Sequence, residues 1–236
     1  MSKMVDELRH YATGSVIPLG DGFTGKSVLS RLLIDPQLSD EKLNNILLKT
    51  RKSYNIEIEF SSEEVIVDNS PVTSTFQFYV FPGQRQKISD KSTTFDEILD
   101  VFDCFPALLK VSVLLLIHDV TKPHTLKSLE MWLRFALVKN WIYEDTLIVF
   151  LSNKIDLEPA DDTVIEQVKE VIYSYIEDHE LQVGKDQIKS VKTSCVKMVG
   201  IQELRDMIIE WIAKRGIKGI GIRALEEEIK EEKKEN

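Results

Sequence analysis

Apolar runs and amphipathic segments alternate along this chain, and their periods predict secondary structure of two kinds. Short apolar or alternating runs predict strands near residues 15–19, 54–60, 73–81, 111–117, 146–152 and 188–193. Apolar positions at helical spacing predict helices near residues 26–34, 88–105, 125–139, 162–179 and 200–214. Alternation of strands and helices is typical of an α/β fold, in which helices cover both faces of a mainly parallel sheet.

One pair of predicted strands departs from the parallel pattern. The segments 54–60 and 73–81 are joined without a predicted helix, so we expect an antiparallel hairpin at the edge of a six-stranded sheet. Glu57 and Glu59 alternate with apolar residues, as in a half-exposed strand. Residues 111–117 hardly alternate, which predicts a strand that is buried on both faces.

Composition and charge narrow the classes of protein that fit. With 236 residues and 43% hydrophobic content, the chain can form one well-cored domain. A net charge of −9 without a basic cluster argues against nucleic acid and anionic membranes as partners. Two distant cysteines and four scattered histidines indicate reduced thiols and no zinc site. The N-terminus lacks the apolar length of a signal peptide or membrane span, so we expect a cytoplasmic protein.

A glycine-rich segment follows the first predicted strand and has the pattern Gly-x-x-x-x-Gly-Lys-Ser of a phosphate-binding P-loop. Its residues are Gly20, Asp21, Gly22, Phe23, Thr24, Gly25, Lys26 and Ser27. Its glycines would let backbone N–H groups face a polyphosphate, Lys26 would reach the terminal phosphates, and Ser27 offers a hydroxyl to Mg²⁺. Pro18 in the preceding strand is unusual for a central strand, because proline donates no ladder hydrogen bond.

A second motif, Asn-Lys-Ile-Asp at residues 153–156, follows the apolar run 147–151. The carboxylate of Asp156 can accept hydrogen bonds from both N1–H and the exocyclic amine of guanine, whereas adenine presents no matching pair of donors. We expect Asn153 to hold the N7 edge of the base and to tie this loop to the glycine-rich segment. The aliphatic stem of Lys154 would cover the flat face of the base.

In their order along the chain, these motifs resemble those of the Ras superfamily of small GTPases, and the resemblance covers roughly residues 14–215. It implies GTP and GDP as the bound nucleotides and Mg²⁺ as the cofactor. The stretch 192–197 is similar to the family's Thr-Ser-Ala-Lys loop, with cysteine in place of alanine. By this resemblance the backbone N–H groups of Ser194, Cys195 and Val196 would contact the guanine carbonyl.

The segment that corresponds to switch II departs from the usual family pattern Asp-x-x-Gly-Gln. Gly83 and Gln84 are present, and the resemblance implies that the N–H of Gly83 senses the γ-phosphate while Gln84 orients the attacking water. Val80 occupies the place of the Asp that supports magnesium through water. This Pro-Gly-Gln arrangement resembles the prokaryotic polarity GTPase MglA and its relatives.

Switch I is represented by residues 50–58, where the family places a threonine hydroxyl on magnesium. Ser53 aligns best with that threonine, and Thr50 is the alternative. Arg51 and Arg85 are candidates for an arginine finger acting in cis, although a basic residue in a loop is usually only solvated.

The resemblance predicts a molecular switch that hydrolyses GTP slowly and signals to an effector protein through its switch regions. An activating protein and an exchange factor are further expected partners. The alternative is a scaffold that binds GTP or GDP without hydrolysis, which the replacement of Asp by Val80 would favour. A third reading, an ATP-using P-loop kinase, is opposed by the guanine motif at residues 153–156.

The predicted organisation is an N-terminal extension (1–13), a G domain (14–215) and a charged C-terminal tail (216–236). Ser2 follows Met1 where N-myristoylation requires glycine, and the chain ends without a cysteine box for prenylation. We therefore expect neither a lipid anchor nor a transmembrane segment.

Overall fold

The computed structural model describes residues 10–37, 42–45, 56–83, 111–179 and 183–218. The strands are β1 (His10–Leu19), β2 (Glu57–Val67), β3 (Ser70–Val80), β4 (Val111–Asp119), β5 (Leu147–Asn153) and β6 (Ile188–Thr193). The helices are α1 (Lys26–Ile34), α2 (Pro123–Val138), α3 (Asp162–Asp178) and α4 (Ile201–Lys218), with a 3₁₀ turn at Lys185–Gln187 and a helical turn at 42–45. Within the described ranges, no helix combines the length and apolarity needed to cross a membrane.

The six strands form one sheet in the order β2-β3-β1-β4-β5-β6. Every neighbouring pair is parallel except β2 and β3, which form the antiparallel hairpin at one edge. The α/β class, the six-stranded mainly parallel sheet and the edge hairpin are therefore confirmed. The predicted helix at 88–105 lies outside the described residues.

The hairpin is longer than the alternation pattern predicted. Its two strands are joined by Asp68 and Asn69, which have φ angles of 50° and 64°. Positive φ at both central positions is characteristic of a two-residue turn that matches the right-handed twist of the strands, and Asp and Asn tolerate it well.

The first and last described elements also exceed their predicted bounds. Strand β1 begins at His10, which registers with Val72 of β3, so residues 10–13 belong to the sheet and not to an extension. Helix α4 continues to Lys218, into the segment assigned to the tail.

Two hydrophobic clusters cover the two faces of the sheet. Helices α1 and α4 pack on one face and helices α2 and α3 pack on the other. Alternate residues of β4 contribute to each cluster: Val113, Leu115 and Ile117 face α1 and α4, whereas Leu114 and Leu116 face α2 and α3. The prediction that residues 111–117 are buried on both faces is confirmed.

Pro18 is accommodated because of where β1 changes its neighbours. The pairing of β1 with β3 ends at Val16, while Pro18 registers with Leu115 of β4. One side of β1 therefore needs no ladder hydrogen bond at this point. The carboxyl ends of the parallel strands meet at this same edge of the sheet, where ligands bind in open α/β sheets.

Candidate functional site

The glycine-rich segment connects β1 to α1 and depends on backbone angles that glycine allows. Gly20 and Gly25 have φ angles of 151° and 104°, and Phe23 has a φ angle of 67°. A Cβ atom on Gly20 would lie 2.3 Å from the carbonyl oxygen of Ile117, so no side chain fits there. Gly25 is the N-cap of α1 and, being glycine, offers no side-chain oxygen to the N–H groups of the first helical turn.

Lys26 is buried inside this segment. Its ammonium group donates hydrogen bonds to the carbonyl oxygens of Gly20 and Asp21, both at 2.8 Å. Burial lowers the pKa of Lys26 to about 8, although the charge of Asp21 acts in the opposite direction. A buried ammonium at the positive end of a helix is an arrangement that suits a polyphosphate.

Gly83 lies directly against the glycine-rich segment. A Cβ atom at this position would lie 2.5 Å from both the carbonyl carbon of Asp21 and the Nζ atom of Lys26, and 2.6 Å from the amide nitrogen of Gly22. Only glycine can approach the segment so closely. The structure thus brings Gly83 beside the glycine-rich segment, while Gln84 lies outside the described residues.

Asn153 joins three segments of the chain. Its side-chain amide donates to the carbonyl oxygen of Thr24 at 2.8 Å, and its Oδ1 atom accepts from the hydroxyl of Thr193 at 3.1 Å. The Sγ atom of Cys195 lies 3.8 Å from the same Oδ1 atom. The expected tie between the loop after β5 and the glycine-rich segment is therefore present.

Asp156 and Ser194 connect the two segments that were expected to recognise guanine. The hydroxyl of Ser194 donates to Oδ1 of Asp156 at 2.5 Å and accepts from the backbone N–H of Lys197 at 3.0 Å. Asp156 is exposed, so its carboxylate is accessible from solvent. Val196 is half exposed, whereas burial raises the pKa of Cys195 to about 12 and keeps its thiol neutral.

Lys154 is held by a residue that the sequence analysis did not identify. Its ammonium lies 2.6 Å from Oδ2 of Asp119, at the end of β4. Thr121 donates two hydrogen bonds to the other oxygen of Asp119, from its N–H at 3.0 Å and its hydroxyl at 2.7 Å. Burial acts to raise the pKa of Asp119, but these hydrogen bonds and the charge of Lys154 outweigh it and lower the pKa. In the sequence, the position of Asp119 at the end of an apolar, buried-type strand was the feature that could have identified it as a site residue.

His118 precedes Asp119 but is a structural residue. It is only 6% exposed, its Nε2 atom hydrogen-bonds with the hydroxyl of Ser152 at 2.8 Å, and its ring stacks on Phe150. Burial lowers the pKa of His118 to about 4, with Asp119 opposing the shift. The ring is therefore neutral near pH 7.

Ser27, the described residue whose hydroxyl is predicted to bind Mg²⁺, lies in the first turn of α1. Within the described ranges, no group of three or more His, Cys, Asp or Glu side chains is arranged to hold a metal. Val80 is fully buried at the end of β3. Ser53 and its alternative Thr50 lie outside the described residues, as do Arg51 and Arg85.

No family model matches the chain, and no curated protein is significantly similar to it.

Proposed function

We propose that this protein is a P-loop nucleotide-binding protein with a small G domain, and that it acts as a guanine-nucleotide switch. The observation that carries the proposal is the position of Asn153. It is bonded both to the glycine-rich segment and to Thr193, which precedes Ser194. A single side chain thus joins a candidate phosphate site to a candidate guanine site at the carboxyl edge of the sheet.

The phosphate half of the proposal depends on the glycine-rich segment and Gly83. Lys26 would exchange its hydrogen bonds to carbonyl oxygens for contacts with phosphate oxygens, and the N–H groups at the start of α1 would add further donors. The close approach of Gly83 to Gly22 and Lys26 supports a role in sensing the terminal phosphate. Loss of that phosphate would change the contacts of Gly83 and thus the surface offered to an effector.

The base half of the proposal depends on Asp156. Its carboxylate would accept two hydrogen bonds from guanine, while the hydroxyl of Ser194 holds one oxygen in place. Asp119 restrains the ammonium of Lys154 and so aligns the stem of that side chain. Adenine presents no pair of donors to match these two carboxylate oxygens, which supports GTP and GDP over ATP.

Hydrolysis would follow in-line attack of a water molecule on the γ-phosphate. We assign Gln84 to orient that water and Lys26, with the backbone N–H groups, to stabilise the developing charge. Mg²⁺ bound at Ser27, and at Ser53 in the switch I segment, would supply additional neutralisation of phosphate charge. The intrinsic rate is expected to be low, with an activating protein and an exchange factor controlling the cycle.

One observation favours the non-hydrolysing alternative. Val80 is fully buried, so the position that carries a magnesium-supporting Asp in most of the family is apolar and dry. Single-turnover GTP hydrolysis by the wild type and Gln84→Leu separates the two functions. Slow hydrolysis that Gln84→Leu abolishes supports the switch, whereas tight GTP binding without turnover in either protein supports the scaffold.

The guanine assignment is tested by Asp156→Asn. Asparagine can still accept from Ser194, but it presents a donor where guanine also presents donors. One hydrogen bond is replaced by a donor–donor contact and the other loses its charged acceptor, so we expect GTP affinity to fall about 100-fold or more and xanthosine triphosphate to bind better than GTP. Asp178→Asn, at the exposed end of α3, is the matched control. Unchanged GTP affinity in Asp156→Asn would refute the assignment.

A further inference from the structure

Trp132 of α2 contacts the glycine-rich segment through a hydrogen bond that the sequence pattern did not reveal. Its indole N–H donates to Oδ1 of Asp21 at 3.0 Å. The indole is 2% exposed and belongs to the core beneath α2 and α3. A rigid, buried side chain therefore holds a carboxylate that belongs to the candidate phosphate site.

The backbone of Asp21 supports several parts of that site at once. Its carbonyl oxygen accepts from the ammonium of Lys26 at 2.8 Å and from the hydroxyl of Thr24 at 3.0 Å. Its carbonyl carbon lies where a side chain on Gly83 would collide. Fixing the side chain of Asp21 therefore also fixes the peptide group that orients Lys26 and faces Gly83.

The charge of Asp21 makes its orientation important. A carboxylate in a loop that is to bind phosphate would repel the ligand if it turned inward, since like charges in close contact repel each other at a protein surface. The indole N–H keeps the carboxylate against α2. The indole N–H is a neutral donor, so it satisfies the Asp21 carboxylate without placing a second positive charge next to Lys26.

We propose that Trp132 is a positioning residue for the phosphate site. Its indole N–H holds Asp21 so that the loop carbonyls orient Lys26 and the carboxylate stays on the side of α2. Trp132 itself touches no reacting atom. This inference rests on the proposed function, because it concerns how the same site binds nucleotide phosphates.

The first test compares GDP binding by the wild type, Trp132→Phe and Trp211→Phe. Trp132→Phe keeps a buried aromatic ring and removes the N–H. Trp211→Phe removes an indole N–H that donates to the carbonyl oxygen of Asp145 at 3.1 Å, ahead of β5 and thus at the opposite end of the sheet. We expect Kd for GDP to rise about tenfold in Trp132→Phe, as for loss of a charge-assisted hydrogen bond, and to change less than twofold in Trp211→Phe.

A cycle with Asp21→Ala separates positioning from loss of packing. If the indole acts through the carboxylate, Trp132→Phe has little further effect on Kd once Asp21 is alanine. An equal loss in both backgrounds would mean that the effect comes from packing, and would overturn the inference. GDP binding by Trp132→Phe at wild-type affinity would also overturn it.

The indole N–H resonance of Trp132 in the wild type gives a readout that does not depend on whether Trp132→Phe folds. It is assigned in the two-dimensional ¹H–¹⁵N spectrum among the resonances of the three tryptophans. We expect it to shift when GDP is added and to shift in Asp21→Ala, while the Trp211 resonance stays in place. No shift on saturation with GDP overturns the inference alone, whereas failure of the wild type to bind any guanine nucleotide overturns the proposed function together with it.

Discussion

Replacing Asn153 by alanine removes the side chain that joins three segments of the site. Two hydrogen bonds are lost, one to the carbonyl oxygen of Thr24 and one from the hydroxyl of Thr193. Both partner residues are completely buried, so bulk water does not replace the lost contacts. Each buried group left without a partner costs about 1–3 kcal/mol. Because the hydroxyl can rotate toward another acceptor, we expect a total loss of about 2–4 kcal/mol in the free energy of unfolding.

Urea unfolding of the nucleotide-free proteins, followed by circular dichroism, measures this loss. Asn153→Ala should lower the midpoint without changing the dependence of the free energy on urea. Thr193→Val is the matched variant, since it keeps the shape of the side chain and removes only the hydroxyl. Alone it should cost about 1 kcal/mol, and in the Asn153→Ala background it should cost much less.

The result that would refute this reasoning is additivity. If Thr193→Val costs the same in both backgrounds, the hydroxyl and the Asn153 side chain do not interact in solution. A loss below about 0.5 kcal/mol for Asn153→Ala would place it among ordinary surface substitutions, contrary to its burial and bonding.

Two further predictions follow from buried titratable groups. The pKa of His118 is about 4 in the folded protein and 6.5 in the unfolded chain, so the unfolded chain binds more protons between these two pH values. The contribution of His118 to the free energy of unfolding should therefore be fully present above pH 6.5 and fall by on the order of 3 kcal/mol as the pH drops toward 4. His118→Gln should remove this pH-dependent contribution. Parallel stability–pH curves for the two proteins would contradict it. In a Cys104→Ser background, Cys195 should react with iodoacetamide at least about 100-fold more slowly at pH 8 when folded than in urea, because the thiolate is the reactive form. Equal labelling rates would show that the thiol is neither buried nor raised in pKa.

Element positions were largely predictable from the sequence, but element ends were not. The alternating pattern from which β2 is predicted stops at the polar run of residues 61–64. The strand itself continues to Val67. It continues because β3 pairs with its whole length and because Glu63 forms an ion pair with Arg205 of α4. Arg205 lies 142 residues away from Glu63 along the chain, so no local pattern reveals this partner.

The residues proposed to bind phosphate and guanine were identifiable from the sequence because each group is contiguous. A phosphate loop requires closely spaced glycines and a lysine in one turn, and the base motif requires its amide and carboxylate within four residues. Such constraints leave a readable pattern. The expected contact between Asn153 and the glycine-rich segment also followed from that pattern, and the structure contains it.

The supporting contacts were decided only by tertiary structure. Trp132 reaches Asp21 across 111 residues, and Lys154 reaches Asp119 across 35. Either acid, taken alone, is an ordinary polar residue near the end of a strand. Parallel strand packing brings their partners to the same edge of the sheet, and a hydrogen bond depends on that proximity in space and not on spacing along the chain. The sequence by itself therefore determined which residues are suited to the chemistry, and the fold determined which side chains hold them in place.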